Sequence, residues 1–388
     1  MRTVSLARAD TTINSLPPNH LHTSMPRNKA IGIVMPHAIG DSMYLMVLLR
    51  ALLRQGDDLT LIGGVIYPLR AWFPEVPVAR WVPDPCDHAA REALLRGFDQ
   101  IVQMFPRPMA DRLLADDPLV APRLLRLVDL PGFYNRAHVL HALMAAGRQH
   151  LGLHASESDV PLDNGMRPPS PLLHREHDKR VVIHPVASNT FKTWDAAKFV
   201  RLAHGLRHRG LQPCLAVPPD EASAWHQRAP GIDVVAFAAL PDLAAFLYTS
   251  GWFIGNDSGI GHLASALDIP TVSVFPRKGL AQRWHPRRHR QNPTRVAIRT
   301  EAGDQPDADR AGSADVTASD APGAGSGNDT RAHPYSRQGA YNVVVLPMPF
   351  LPITKLKERY WRGLMPVSRV LAAFDRQRRT IETPDGPP

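Results

Sequence analysis

The chain has 388 residues, 44% of them hydrophobic, and a formal charge of +9 from 45 Lys and Arg against 36 Asp and Glu. That length exceeds one ordinary core and suits two domains. The composition excludes a disulfide framework and a structural zinc site, because Cys86 and Cys214 are far apart and neither lies in a CxxC pair. Both cysteines read as small buried hydrophobes, in keeping with a reducing cytoplasm. No apolar run approaches the ~20 residues that span a bilayer. The positive balance favours acidic partners: a nucleotide, a phosphorylated glycolipid or an anionic membrane face. Nucleic acid is disfavoured because no recognition motif accompanies the charge.

Residues 1–29 are polar, contain proline and lack the apolar core of a signal peptide, so they read as a disordered extension. Ala30 to Met35 is nearly continuous apolar sequence, the pattern of a buried parallel strand. A tight segment, Pro36 to Asp41, leads to a predicted helix from Ser42 to Gln55 that Gly56 ends. Leu59 to Ile66 reads as a strand, Arg91 to Gly97 as helix and Gln100 to Phe105 as strand. These elements make a first domain over residues 30–167. The Pro-rich run at 168–171 opens a linker over 168–179.

A second alternation begins at Arg180 to His184. Helices are predicted over 195–210, 221–228, 242–250 and 258–267, and strands over 212–217, 232–237, 251–255 and 270–275. Strands alternating with helices at this spacing give a parallel sheet covered on both faces. Two such units imply an α/β molecule of two facing, doubly wound Rossmann-like domains, with the second over 180–300 and a ligand cleft at the strand carboxyl ends. Residues 301–338 are rich in Asp, Ala, Gly, Ser and Pro and poor in large apolar residues, so they read as a disordered insertion. A strand over 341–346 and a helix over 366–379 complete the chain within 339–380.

Three constellations carry candidate chemistry. In the first, Gly40-Asp41-Ser42 sits between strand and helix, where Asp41 is either an N-cap or a carboxylate projecting into the cleft as a proton acceptor. In the second, His184-Pro185 and Ser188 precede Phe191-Lys192-Thr193-Trp194; Lys192 is either a phosphate-binding point charge or a surface lysine beside a packing tryptophan. The third is Gly255-Asn256-Asp257-Ser258-Gly259-Ile260-Gly261-His262. Asp257 or Ser258 would cap the helix, and the small residues would let a phosphate reach the free amides of its first turn. His262 is either a satisfied core histidine or a donor to that phosphate.

In order and spacing, these motifs resemble glycosyltransferase family 9, which includes the ADP-heptose:lipopolysaccharide heptosyltransferases. The resemblance covers roughly residues 30 to 290. Ile39-Gly40-Asp41-Ser42 looks like the family's N-terminal Gly-Asp element, and His184-Pro185 with Lys192-Thr193-Trp194 like its central element. Asp257-Ser258-Gly259 with His262-Leu263-Ala264 and Ala266-Leu267 looks like its third. Ser258 replaces a usual Thr, Val186 and Pro276 replace glycines, and Val47 replaces a proline.

The resemblance implies a GT-B fold, with acceptor bound by the first domain and nucleotide-sugar donor by the second. Asp41 would be the general base, while Lys192, Asp257, Ser258, Gly259 and His262 would hold the donor diphosphate. Glu221 or Asp220 would meet the ribose or sugar, and Ser188 and Phe275 would flank the nucleotide. The implied activity is metal-independent, inverting transfer from a nucleotide sugar, ADP-heptose foremost, to a lipopolysaccharide core or other surface glycan, without a further cofactor. The expected setting is cytoplasmic, including the inner membrane face. There Arg283, Arg287, Arg288 and Arg290 around Trp284 and His285, and Lys355, Lys357, Arg359 and Arg362 around Tyr360 and Trp361, would either contact anionic lipid or form a solvated surface. The rival readings are a sugar-nucleotide epimerase on a similar fold and a non-catalytic nucleotide-sugar binding protein.

Overall fold

A computed structural model describes residues 29–81, 87–105, 117–118, 120–135, 138–155, 163–169, 171–287, 341–347 and 360–382. All of the expected extension at 1–29 except Lys29, the insertion at 301–338 and Cys86 lie outside these residues. Cys214 is buried, and burial pushes its thiol up to about 12, so it acts as a small core hydrophobe.

The first sheet holds β1 (Ala30–Val34), β2 (Asp58–Ile62), β3 (Val78–Ala79), β4 (Gln100–Gln103) and β5 (Leu124–Arg126), all parallel in the order β3-β2-β1-β4-β5. Helix α1 (Ile39–Arg54) links β1 to β2; α2 (His88–Leu95) precedes β4, and α3 (Val139–His150) follows β5. β2 ends at Ile62, four residues before the expected boundary. Gly63 and Gly64 both take positive φ, which breaks the extended chain and starts a short 3-10 turn. α1 begins three residues earlier than its pattern indicated and is buried almost all round. Its Met43-Tyr44-Leu45-Met46-Val47-Leu48-Leu49 run suits a helix with packed neighbours on every side. α3 presses closely enough that a β-carbon on Gly147 would meet Leu48 Cδ1 at 2.5 Å.

The second sheet holds β6 (His177–His184), β7 (Gln212–Val217), β8 (Asp233–Ala236), β9 (Ser250–Asn256), β10 (Thr271–Val274) and β11 (Asn342–Val345). All are parallel, in the order β11-β10-β9-β6-β7-β8. Its first strand starts at His177, inside the segment expected to be linker. The helices are α4 (Ala196–Arg207), α5 (Ala222–Arg228), α6 (Leu240–Tyr248), α7 (Gly259–Ala266), α8 (Lys278–Trp284) and α9 (Val367–Glu382). Each sheet changes winding direction once, between β1 and β4 and between β6 and β9. Those are the places where doubly wound sheets open a binding crevice.

The two units meet along α1 and α7, and one apolar cluster runs through both, from Leu45 and Leu49 to Leu263 and Ala266. Trp72 meets Tyr248 edge-on at 5.9 Å, and the buried Asn164 side chain donates to the Ala266 carbonyl at 3.0 Å. Next to it, Asp163 ties α1 to the connecting strap through Arg54 at 2.6 Å and Arg167 at 3.4 Å. Among the described residues, no helix is long and apolar enough to cross a membrane.

Candidate active site at the facing switch points

The loops after β1, β6 and β9 line one cavity of about 650 Å³, within the usual range for ligand sites. The first sheet contributes Ile39, Gly40 and Asp41; the second contributes His184, Ser188, Lys192, Asp257, Ser258, Gly259 and His262. The three sequence motifs therefore share one wall-to-wall space.

Asp41 is not an N-cap. The cap position is Ala38, and Asp41 stands in the first turn of α1. Ser42 organises this entry instead, its hydroxyl donating to the Ala38 carbonyl at 3.0 Å and to the Pro36 carbonyl at 3.2 Å. Burial pushes the Asp41 carboxyl from 3.8 up to about 6; Lys192 pulls it down and Asp257 adds to the rise. Near neutral pH it is largely a poorly solvated carboxylate, suited to accept a proton.

Lys192 closes a short 3-10 turn whose first amide bond is made by Asn189, which accepts from Lys192 N–H at 3.0 Å. Lys192 Nζ reaches Asp257 Oδ2 at 2.7 Å. Burial raises the Asp257 carboxyl above its ordinary value, and Lys192 opposes that. Asn256, fully buried, locks the two loops together: it accepts from Trp194 N–H at 3.0 Å and donates to the Pro185 carbonyl at 2.8 Å. Trp194 is core, stacked edge-on with Phe199 at 5.0 Å, so the packing reading of that tryptophan holds alongside a lysine that faces the cavity.

Ser258 occupies the N-cap position of α7, yet neither it nor Asp257 caps the helix through its side chain. The Ser258 hydroxyl is buried without a partner. An orphan hydroxyl beside the free amides of a first helical turn is unfavourable unless a ligand oxygen completes it. His262, one turn in, is buried and packs on the Tyr44 ring at 5.1 Å. His184 is held neutral, since burial lowers it to about 4; its Nδ1 lies 2.8 Å from the Ala216 carbonyl, which can only accept, so that nitrogen carries the proton. His184 and Ile260 also border a second, mainly apolar cavity of about 180 Å³ at the ends of β7 and β8.

Some expected neighbours stand away from the main cavity. Asp220 and Glu221 lie in a 3-10 turn after β7, next to Pro218 and Pro219 of the smaller cavity, and the Glu221 carboxylate accepts from Trp225 Nε1 at 3.2 Å. Phe275 is fully buried, its backbone N–H bound to the Val345 carbonyl, and does not reach the cavity. Trp361 and Arg362 are not outward-facing lipid contacts. Trp361 is buried and donates to the Phe191 carbonyl at 3.0 Å, while Arg362 binds the Thr193 carbonyl at 2.8 Å and the Thr190 carbonyl. Both brace the lysine turn from behind. Arg288, Arg290, Lys355, Lys357 and Arg359 lie outside the described residues. Sequence reasoning also missed Phe105 and Trp284, which line the cavity, and Tyr44, whose hydroxyl holds the backbone carbonyl of His285 at 2.6 Å. Among the described residues, no group of three or more His, Cys, Asp or Glu is placed to hold a metal ion.

The chain is similar in sequence and fold to known proteins. A model of glycosyltransferase family 9 (heptosyltransferase) matches residues 122–313. Lipopolysaccharide heptosyltransferase 3 of Escherichia coli K12 is 34% identical over 106 residues. That match covers 25% of this chain and 31% of that protein, so it spans about a third of the relative's length. Heptosyltransferase WaaC of E. coli, solved with ADP, superposes with a TM-score of 0.50 at 17% identity, covering 66% of this chain and 90% of that one. A family 9 glycosyltransferase from Veillonella parvula gives 0.51 at 17% identity, covering 66% and 83%. The chain is thus heptosyltransferase-like, similar to glycosyltransferase family 9 over residues 122–313, and its two facing parallel sheets are the GT-B arrangement.

Proposed function

We propose that the protein is an inverting glycosyltransferase that moves a heptose-like sugar from a nucleoside-diphosphate sugar, ADP-heptose foremost, to a hydroxyl of a lipopolysaccharide core acceptor. The observation that carries this reading is the cavity itself, where Asp41 from one sheet confronts Lys192 and the α7 N-terminus from the other. The donor diphosphate lies against Lys192, the Ser258 hydroxyl and the amides at Gly259 and Ile260, with His262 behind them. The nucleoside base extends into the apolar cavity past His184.

Asp41 takes the proton of the acceptor hydroxyl as that oxygen bonds to the anomeric carbon. The bond from that carbon to the donor phosphate oxygen breaks, and its electron pair leaves with the diphosphate, so the anomeric configuration inverts. The sugar carries oxocarbenium character at the crest, by analogy with glycoside hydrolysis. Lys192 and the helix dipole meet the negative charge where it grows on the leaving group. With that charge met by protein groups, turnover survives EDTA; loss of activity on chelation would contradict this. The same reading puts the work at the cytoplasmic face of the membrane bearing the glycolipid, and salt-sensitive sedimentation with anionic liposomes checks it.

The direct test incubates the protein with ADP-heptose and a deacylated inner-core oligosaccharide, then reads product mass and anomeric configuration. Transfer with inversion is expected. Interconversion of the donor without transfer would mark an epimerase, and donor-dependent thermal stabilisation without either reaction would mark a binding protein.

A further inference from the structure

Two aromatic rings of the cavity have no part in gripping phosphate. Phe105 lies two residues past the end of β4, and Trp284 ends α8. They come from different sheets, yet their centroids are 6.4 Å apart at an interplanar angle of 39°. Both are half-buried and both line the cavity. Both connect to the elements that carry Asp41. Tyr44, three residues beyond Asp41 on α1 and so on the same helix face, donates to the carbonyls of Trp284 at 3.2 Å and His285 at 2.6 Å. Phe105 follows the strand paired with β1, from which Asp41 is launched. Arg283 fixes the indole further: its guanidinium lies 5.3 Å from the Trp284 ring and 4.9 Å from that of Tyr134.

We infer that Phe105 and Trp284 form the acceptor subsite, a flat wall that takes the C–H face of the acceptor sugar ring and turns its hydroxyl edge towards Asp41. The inference rests on the transferase reading above and names the part of the acceptor that is recognised. A pyranose ring is amphipathic, with hydroxyls around its edge and carbon-bound hydrogens on its faces. Held aromatic rings supply large apolar area at little entropic cost, which suits that face. The donor base is the competing occupant. The second, apolar cavity opens instead from His184 and Ile260, at the ends of β7 and β8 in the sheet that carries the phosphate grip. Neither Phe105 nor Trp284 lines that second cavity.

The test compares Trp284→Ala and Phe105→Leu with the unmodified protein, using ADP-heptose as donor and a deacylated inner-core oligosaccharide as acceptor. Acceptor KM rises about 3- to 10-fold in each, the range a single aromatic contact supplies, while the Kd for ADP measured by calorimetry stays within twofold. Saturation-transfer NMR, with aromatic protons irradiated, marks the ring C–H protons of the oligosaccharide in the unmodified protein and loses them in the variants. Should Trp284→Ala fail to fold, Phe105→Leu and the NMR epitope decide alone. Unchanged acceptor KM in variants that still turn over would overturn the wall and leave the transferase reading intact, as would weakened ADP binding with unchanged acceptor KM. If the unmodified protein binds ADP but neither binds nor glycosylates the oligosaccharide, both readings fall.

Discussion

The His262 ring closes directly on Gly40, so that a β-carbon at position 40 would stand 2.7 Å from His262 Cδ2. The first turns of α1 and α7 touch here, and Asp41 and the phosphate grip owe their separation to this contact. Gly40→Ala therefore forces the helices apart. It should cost about 1–3 kcal/mol of stability, as overpacking does, and raise the Kd for ADP. Chemical denaturation and calorimetry check both; wild-type values in each would show that the helix ends need not sit this close.

Asp41→Asn should split activity from stability. Turnover falls by ~10²–10⁴-fold, the usual contribution of a general base, with ADP affinity kept. In the wild type, the acid limb of kcat/KM should turn near pH 6 because burial holds the carboxyl there. Its folded value lies above the unfolded one, so Asp41 favours folding below about pH 4 and loses that contribution as pH rises through about 6. Asn, which does not ionise, should thus melt higher than wild type at pH 7.5 and lose that advantage near pH 4. Identical melting at both values would rule out a carboxyl strained by burial.

Lys192→Met removes the charge that pairs with Asp257 and lines the cavity proposed to take the donor diphosphate. It should weaken ADP binding at least tenfold. Asp257 is left buried without its counter-ion, which should lower stability by about 1–3 kcal/mol, less than for a fully enclosed pair because Lys192 is partly solvated. Adding Asp257→Asn should restore the stability but not the binding. Recovery of ADP affinity in the double variant would show that the lysine does not hold the phosphates.

Trp361→Ala opens a cavity behind the lysine turn and removes the donor to the Phe191 carbonyl. About 3–5 kcal/mol of stability should be lost, as for other buried tryptophans. The milder Trp361→Phe keeps most of the volume and should instead report, through a higher ADP Kd, how far that one hydrogen bond positions Lys192.

Asp163 gives a second pH signature, opposite in sign to that of Asp41. Burial acts to raise its carboxyl, but the Gly165 amide, Arg167 and Arg54 outweigh burial and hold it below the ordinary value. Its contribution is present above about pH 4 and fades as pH falls through its folded value. Asp163→Asn should therefore unfold more easily than wild type at pH 7, with the gap narrowing below pH 4.

Much of this architecture is legible along the chain because its signals are local. The run from Ala30 to Val34 announces a strand covered on both faces, and α1 announces that it is surrounded. Asn256 to His262 place small residues and a hydroxyl where a helix begins. What could not be read depends on chain segments distant in sequence. Nothing near Trp284 or Phe105 marks them as neighbours; Tyr44 and the crossing of two sheets bring them together. Trp361 sits among basic residues that suggest surface, yet its indole reaches a carbonyl 170 positions earlier. Helix α3 escaped because the sequence on either side gave it no frame, although Val139, Leu140, Leu143 and Met144 mark its inward side. For Glu221 the sequence showed only that an acidic residue follows β7; that its carboxylate accepts from Trp225 one turn later was not legible.

The hold of Trp361 and Arg362 on the Phe191, Thr193 and Thr190 carbonyls also orders events in time. The ribosome makes the lysine turn long before it makes the segment that steadies it, and β10 waits equally long for its outer partner β11. A chain that stops before Trp361 would lack the groups that hold these three carbonyls.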